Sequence, residues 1–134
     1  MNSEAENLKL FEKERFARSL GIRVLEVKDG YARVEAKVRP KLTNLHGFAH
    51  GGLLFALADT AFALSVNVNR PAAAVQFSMS ICRPTPVGEI LTGESTVMHN
   101  GRSQVVVALK VTDSRGNLVA SGQATALPVN YGKK

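Results

Sequence analysis

The chain has one cysteine, no tryptophan and only three histidines in 134 residues. A lone Cys82 cannot close an intrachain disulfide, and it suits a reducing compartment. Without tryptophan, with 6% aromatics and with lysines and arginines scattered along the chain, there is no basic-plus-aromatic platform of the kind that grips RNA. The net charge of +6 is a solvated basic surface that could steer an anionic ligand, and no nucleic-acid partner is expected. The first residues, MNSEAENLKLFEKERFARS, are charged and lack the apolar core of a secretory signal, so a cytoplasmic protein is expected. The only long apolar run, residues 51–69, is Ala-rich and interrupted by Asp59, Thr60, Ser65 and two asparagines. That composition fits a buried helix of a globular protein better than a membrane span, and no membrane partner is expected. The length fits one domain, 1–134, with a core that needs no staples.

What that run does contain is its most informative residue. Asp59 is the only ionisable side chain between positions 51 and 69. Leaving a charge among Leu, Phe, Ala and Val costs several kcal/mol unless it is paired or hydrogen-bonded. Just upstream, Asn44-Leu-His46-Gly47-Phe-Ala-His50-Gly51-Gly52 gathers two of the three histidines.

The periodicities around these residues predict an α+β chain. An amphipathic pattern over 4–18, with Leu8, Phe11 and Ala17 apolar, predicts an N-terminal helix within residues 1–20. Residues 22–28 and 31–38 alternate as two strands about the Asp29-Gly30 turn. A loop over 41–50 leads into a long helix over 51–68, which Arg70-Pro71 stops. Strands follow near 75–82, 89–98, 105–111 and 117–127, and a loose tail is expected at 129–134. Hairpin-linked antiparallel strands make one meandering sheet, and a helix apolar nearly all round must be covered on most sides. A curved antiparallel sheet of about six strands wrapped around the long helix meets both demands.

The chemistry open to these residues follows from the start of that helix. Its free N–H groups and partial positive charge suit a developing oxyanion, and glycine at 51 and 52 lets a carbonyl approach the backbone. Asp59 could then serve as general base for water, or as nucleophile. The two cannot meet within one chain. Eight residues of helix separate Gly51 from Asp59 by about 12 Å, whereas reacting atoms must lie within about 3–3.5 Å. A two-fold partner with its helix antiparallel would bring Asp59 of one copy to Gly51 of the other, making two sites at once. Asn44 could orient water or the carboxylate, and is equally suited to an Asx-turn. His50 is expected to cap the helix or orient a ligand, and Thr60 to line the pocket. His46, His50 and Asp59 are too few for a metal site, so neither metal nor cofactor is expected.

Asn44, His50-Gly51-Gly52 and Asp59 nine residues after His50 together resemble the signature of hotdog thioesterases of the phenylacetate-pathway, PaaI-like type. Arg83-Pro84 followed by Val87-Gly88-Glu89 extends the resemblance across nearly the whole chain. It implies the hotdog fold, hydrolysis of an acyl-CoA, active sites at a dimer interface, and dimers that often pair into tetramers. A CoA ester carries phosphates, for which Arg83 and Arg102, with nearby Lys110, are candidates. Related enzymes often place Ser or Thr at the start of the strand after the helix. Here Ala72, Ala73 and Ala74 stand there, and Gln76 or Ser78 could substitute. Those alanines keep two other readings open: a non-catalytic acyl-CoA-binding module, and a hydratase of the same fold.

Overall fold

The computed structural model describes residues 4–68 and 70–130. Two short helices open the chain, α1 (Glu4–Phe11) and α2 (Arg15–Ser19). The hairpin β1 (Arg23–Lys28) and β2 (Tyr31–Lys37) follows, then α3 (Gly51–Val66). Four strands complete the fold: β3 (Ala72–Ile81), β4 (Ile90–Asn100), β5 (Val105–Thr112) and β6 (Leu118–Pro128). One six-stranded sheet runs in the order β1-β2-β4-β5-β6-β3, with every neighbouring pair antiparallel. The order is open, so β1 and β3 are both edges.

The expected single N-terminal helix is broken at residues 12–14. Phe11 packs against the core and Ala17 is buried. Six residues of continuous helix would point those two side chains about 120° apart. The break turns both inward, and Arg18 Nη1 donates to the freed Glu12 carbonyl at 2.6 Å. At the other end, Val129 N–H donates to the Pro71 carbonyl at 3.0 Å, so the expected loose tail is tied at its first residue. Residues 131–134 of that tail lie outside the described residues.

Alternation in the strands builds one apolar face. Ala32, Val34 and Ala36 of β2, Leu91 of β4, Val105, Val107, Leu109 and Val111 of β5, and Ala120, Ala124 and Ala126 of β6 are all buried. Helix α3 lies on that face, chiefly on β2 and β4. The backbones come close because β4 has a glycine beneath the helix. A Cβ on Gly93 would lie 2.9 Å from the Leu57 carbonyl oxygen. Beside it, Ser95 Oγ and Ser65 Oγ are buried and 2.8 Å apart, and Ser65 Oγ donates onward to the Phe62 carbonyl at 2.9 Å. The helix is not covered all round. Gly52 and Phe55 are exposed, and Asp59 and Ala63 half-exposed, along a stripe at helical spacing.

Strand β3 behaves as an edge. A bulge between Ala74 and Gln76 precedes the alternating stretch. Phe77 and Met79 face α3, where the Phe77 ring meets Phe55 and Phe62 edge-on at 4.8 and 5.4 Å. Val75 and Ile81 are 56% and 60% exposed, because little lies against an edge strand at those positions. No helix among the described residues is long and apolar enough to cross a membrane.

The close seat of α3 on β4 is testable. Gly93→Ala puts a methyl against helix backbone that cannot move aside cheaply, and should lower unfolding free energy by about 1–3 kcal/mol in urea titrations. A stability equal to that of the parent would show that the helix has room to lift.

Candidate active site

The loop before α3 is held from several sides. Asn44 N–H donates to the Phe48 carbonyl at 2.7 Å. The Asn44 Oδ1 accepts from the N–H groups of His46 and Phe48 at 2.9 and 3.2 Å, the Asx-type turn that asparagine favours. Ala49 N–H donates to Thr85 at 2.8 Å, and His50 N–H to Leu42 at 2.9 Å. Asn44 therefore shapes the loop with its oxygen, and its Nδ2 remains as a donor. His46 is exposed on the same loop.

These bonds deliver His50 to the N-cap of α3, in extended conformation (φ −66°, ψ 140°). Its Nδ1 accepts from Gly52 N–H at 2.8 Å, so the neutral ring carries its proton on Nε2. A Cβ on Gly52 would crowd that Nδ1 at 3.0 Å. The two glycines thus have different jobs. Gly52 makes room for the cap and gives up its amide to it. Gly51 N–H has no partner among the described residues, although it stands at the positive end of a 16-residue helix.

Most of the site residues expected from sequence fall into three clefts. Asn44, Gly51 and Arg83 line one of about 300 Å³, together with Ile81 and Cys82. Asp59 and Thr60 line another of about 400 Å³, whose opposite wall is Phe11, Lys13, Glu14 and Phe16. His50 and Gly52 border a third of about 210 Å³, which Phe16 also touches. Within one chain, Asp59 and the free Gly51 amide therefore face different openings, as the helix rise requires.

Asp59 is half-buried and makes no hydrogen bond or ion pair among the described residues. Burial raises its pKa above the ordinary aspartate range, and the negative charge of Glu14 raises it further. Neither Lys13 nor Glu14 was legible as a site neighbour, because the break between α1 and α2 that carries them over the cleft has no sequence signal of its own.

The remaining candidates are dispersed. Gln76 and Ser78 alternate with Phe77, which faces α3, so both lie on the sheet face away from Asp59 of their own chain. Arg83 follows the end of β3 and pairs with Asp113 at 3.7 Å. Arg102 sits at the β4–β5 turn, where its carbonyl meets Arg70 just before β3 begins. The length of β3, about 33 Å, separates these two arginines, so one chain cannot bring both to the same phosphate group. Lys110 pairs with Glu94 at 3.9 Å on β4.

Comparison with known proteins accords with this architecture. The sequence pattern of the thioesterase superfamily matches residues 46–120, from the loop to the first residues of β6. The acyl-coenzyme A thioesterase PaaI of Escherichia coli is 34% identical over 112 residues, covering 83% of this chain and 80% of that protein. The solved structure of the E. coli PaaI protein superposes with a TM-score of 0.88 at 30% identity, covering 91% and 89% of the two chains. A thioesterase protein of Streptococcus pneumoniae solved with coenzyme A superposes with a TM-score of 0.84 at 25% identity, covering 90% and 97%. By the family match over more than half of its length and by these relatives, the chain belongs to the thioesterase superfamily as a PaaI-like member with the hotdog fold.

Proposed function

We propose that this protein hydrolyses the thioester of a small aromatic or medium-chain acyl-CoA, at sites that two copies of the chain build together. The observation that carries this reading is the unpartnered Gly51 amide at the head of the same helix that holds Asp59 in a separate cleft. The relatives named for acyl-CoA hydrolysis, and the one solved with coenzyme A, support the ligand class.

In this reading the thioester oxygen accepts from Gly51 N–H, where the helix dipole favours negative charge. Asp59 of the other copy removes a proton from water, or attacks the carbonyl carbon itself. When water attacks, the tetrahedral intermediate collapses with loss of the CoA thiolate, which takes up the proton held on Asp59; when Asp59 attacks, the same loss leaves a mixed anhydride that water then hydrolyses. Asn44 Nδ2 is the remaining donor beside Gly51, and Arg83 is the cation placed to meet a phosphate. Two features of the isolated chain support a second copy. The α3 stripe at Gly52, Phe55, Asp59 and Ala63 is left uncovered on an otherwise buried helix, and the β3 edge exposes Val75 and Ile81.

The alanines at 72–74, and the placement of Gln76 and Ser78 away from Asp59, favour one other reading: a module that binds acyl-CoA without turning it over. A panel of acyl-CoA esters with a thiol reagent separates the two. Thiol release that falls about 10²–10⁴-fold in Asp59→Asn supports hydrolysis. Binding with no release from any ester, at high protein concentration, supports the module.

The same variant has a stability signature of opposite sign. A carboxyl whose folded pKa is raised contributes stability that is complete below its unfolded value, about 3.9, and lost as pH rises through the folded value. At neutral pH the Asp59 carboxyl therefore weakens the fold, and Asp59→Asn should melt at a higher temperature than the parent. That gap should close as the pH falls toward 4, and a gap that is constant with pH would contradict the burial argument.

Shared sites are tested by mixing two inactive chains. Proline suits the first position of a helix and lacks the N–H, so Gly51→Pro should keep α3 and lose about 10²–10³ in rate. A mixed dimer of Gly51→Pro with Asp59→Asn holds one doubly altered site and one unaltered site. Purified mixed dimers should show about half the parental rate. If both groups acted within one chain, they would show none.

A further inference from the structure

We propose that Glu14, on the turn between α1 and α2, acts on Asp59 across the cleft they share and sets the pH at which the site becomes competent. This rests on the reading of Asp59 as the reacting carboxylate. Glu14 is the N-cap residue of α2, yet its side chain caps nothing and makes no hydrogen bond or ion pair among the described residues. Its carboxylate is thus free to act through space on the opposite wall of the 400 Å³ cleft, where Asp59 lies. Asp59 is half-buried and Glu14 is exposed, so the like charge across the cleft bears on the less hydrated carboxyl and raises its pKa.

Within one chain the charges facing Asp59 are few, and in the shared site the second copy adds the His50 and Arg83 that flank its Gly51. Helix α3 contributes no other ionisable group, and Ala72, from β3, contributes none. The α1–α2 turn supplies two neighbours of opposite sign on the facing wall, Lys13 and Glu14, and Glu14 is the like charge that raises Asp59. The break that carries Phe11 and Ala17 into the core also carries this pair over the cleft. Glu14 is a positioning residue in this account: it touches no substrate, and a variant should alter when the site works rather than what it binds.

The test pairs two readouts. The carbon resonance of the Asp59 carboxyl is followed against pH at low salt in the parent, in Glu14→Gln and in Glu14→Asp. The acid limb of kcat/KM is measured in the same proteins. Glu14→Gln should move the Asp59 titration to lower pH and raise activity on the acid limb roughly two- to threefold relative to the plateau. Glu14→Asp should keep the parental behaviour. Salt near 1 M should draw the parent toward Glu14→Gln. An Asp59 titration that Glu14→Gln leaves in place, or a change confined to KM, overturns the proposal. The resonance decides it even in a protein without turnover, so a missing acid limb would count only against hydrolysis. Glu14→Asp should melt with the parent and Glu14→Gln at or slightly above it at pH 7, as the lowered Asp59 titration requires, and an unfolded Glu14→Gln would itself contradict a through-space role.

Discussion

The depth at which α3 sits on the sheet governs the rest of the molecule. Leu57 can rest its backbone on β4 only because position 93 has no side chain. With the helix seated there, its N-terminus is presented level with the loop from Asn44 to His50. Its exposed stripe is presented beside the α1–α2 turn. A shallower helix would leave the buried Ser65–Ser95 pair apart, each hydroxyl without its partner in a dry interior. Small residues facing the helix from β6, Ala120, Ala124 and Ala126, keep the same surface low under it.

The head of the helix divides its donors. An uncapped helix offers several orphan N–H groups, and water would satisfy them all alike. Here the imidazole of His50 takes the amide of Gly52, and the His50 carbonyl accepts from Leu53 at 2.9 Å. One amide is thus left over at Gly51, held rigidly by neighbours that are already satisfied. Such preorganisation makes a backbone donor useful for chemistry, because nothing must rearrange when negative charge appears.

Much of this was legible in the sequence where a residue contradicts its surroundings. Asp59 stands alone in an apolar run, and glycines adjoin a histidine at a helix start. The strands β2 and β5 alternate without interruption and came out where alternation put them. What was not legible depends on partners far along the chain. The route of β3 to the far edge of the sheet cannot be read from β3 itself, yet it separates Arg83 from Arg102 and turns Gln76 and Ser78 away from the helix. The break at residues 12–14 is likewise invisible in a run of charged helix formers. It arises because Phe11 and Ala17 must both find the core, and that demand exists only once the core does. Asn44 is a third kind of case. The oxygen that forms the turn and the Nδ2 that the proposed mechanism uses as a donor are different atoms of one amide, and only the folded structure separates them.

The buried serine pair has a consequence for orientation. A helix with an apolar stripe knows which side to turn inward, because rolling it would expose oil and bury charge. Helix α3 has almost no such preference, being greasy on nearly every side, so solvent exclusion alone would let it roll about its axis. The hydroxyl link from Ser95 through Ser65 to the Phe62 carbonyl works as a rotational key. Advancing the helix by a single residue would turn it by about 100° and strand that key in hydrocarbon. Two modest side chains six and more positions away from Asp59 thereby decide that the carboxylate looks outward, where a second molecule can reach it.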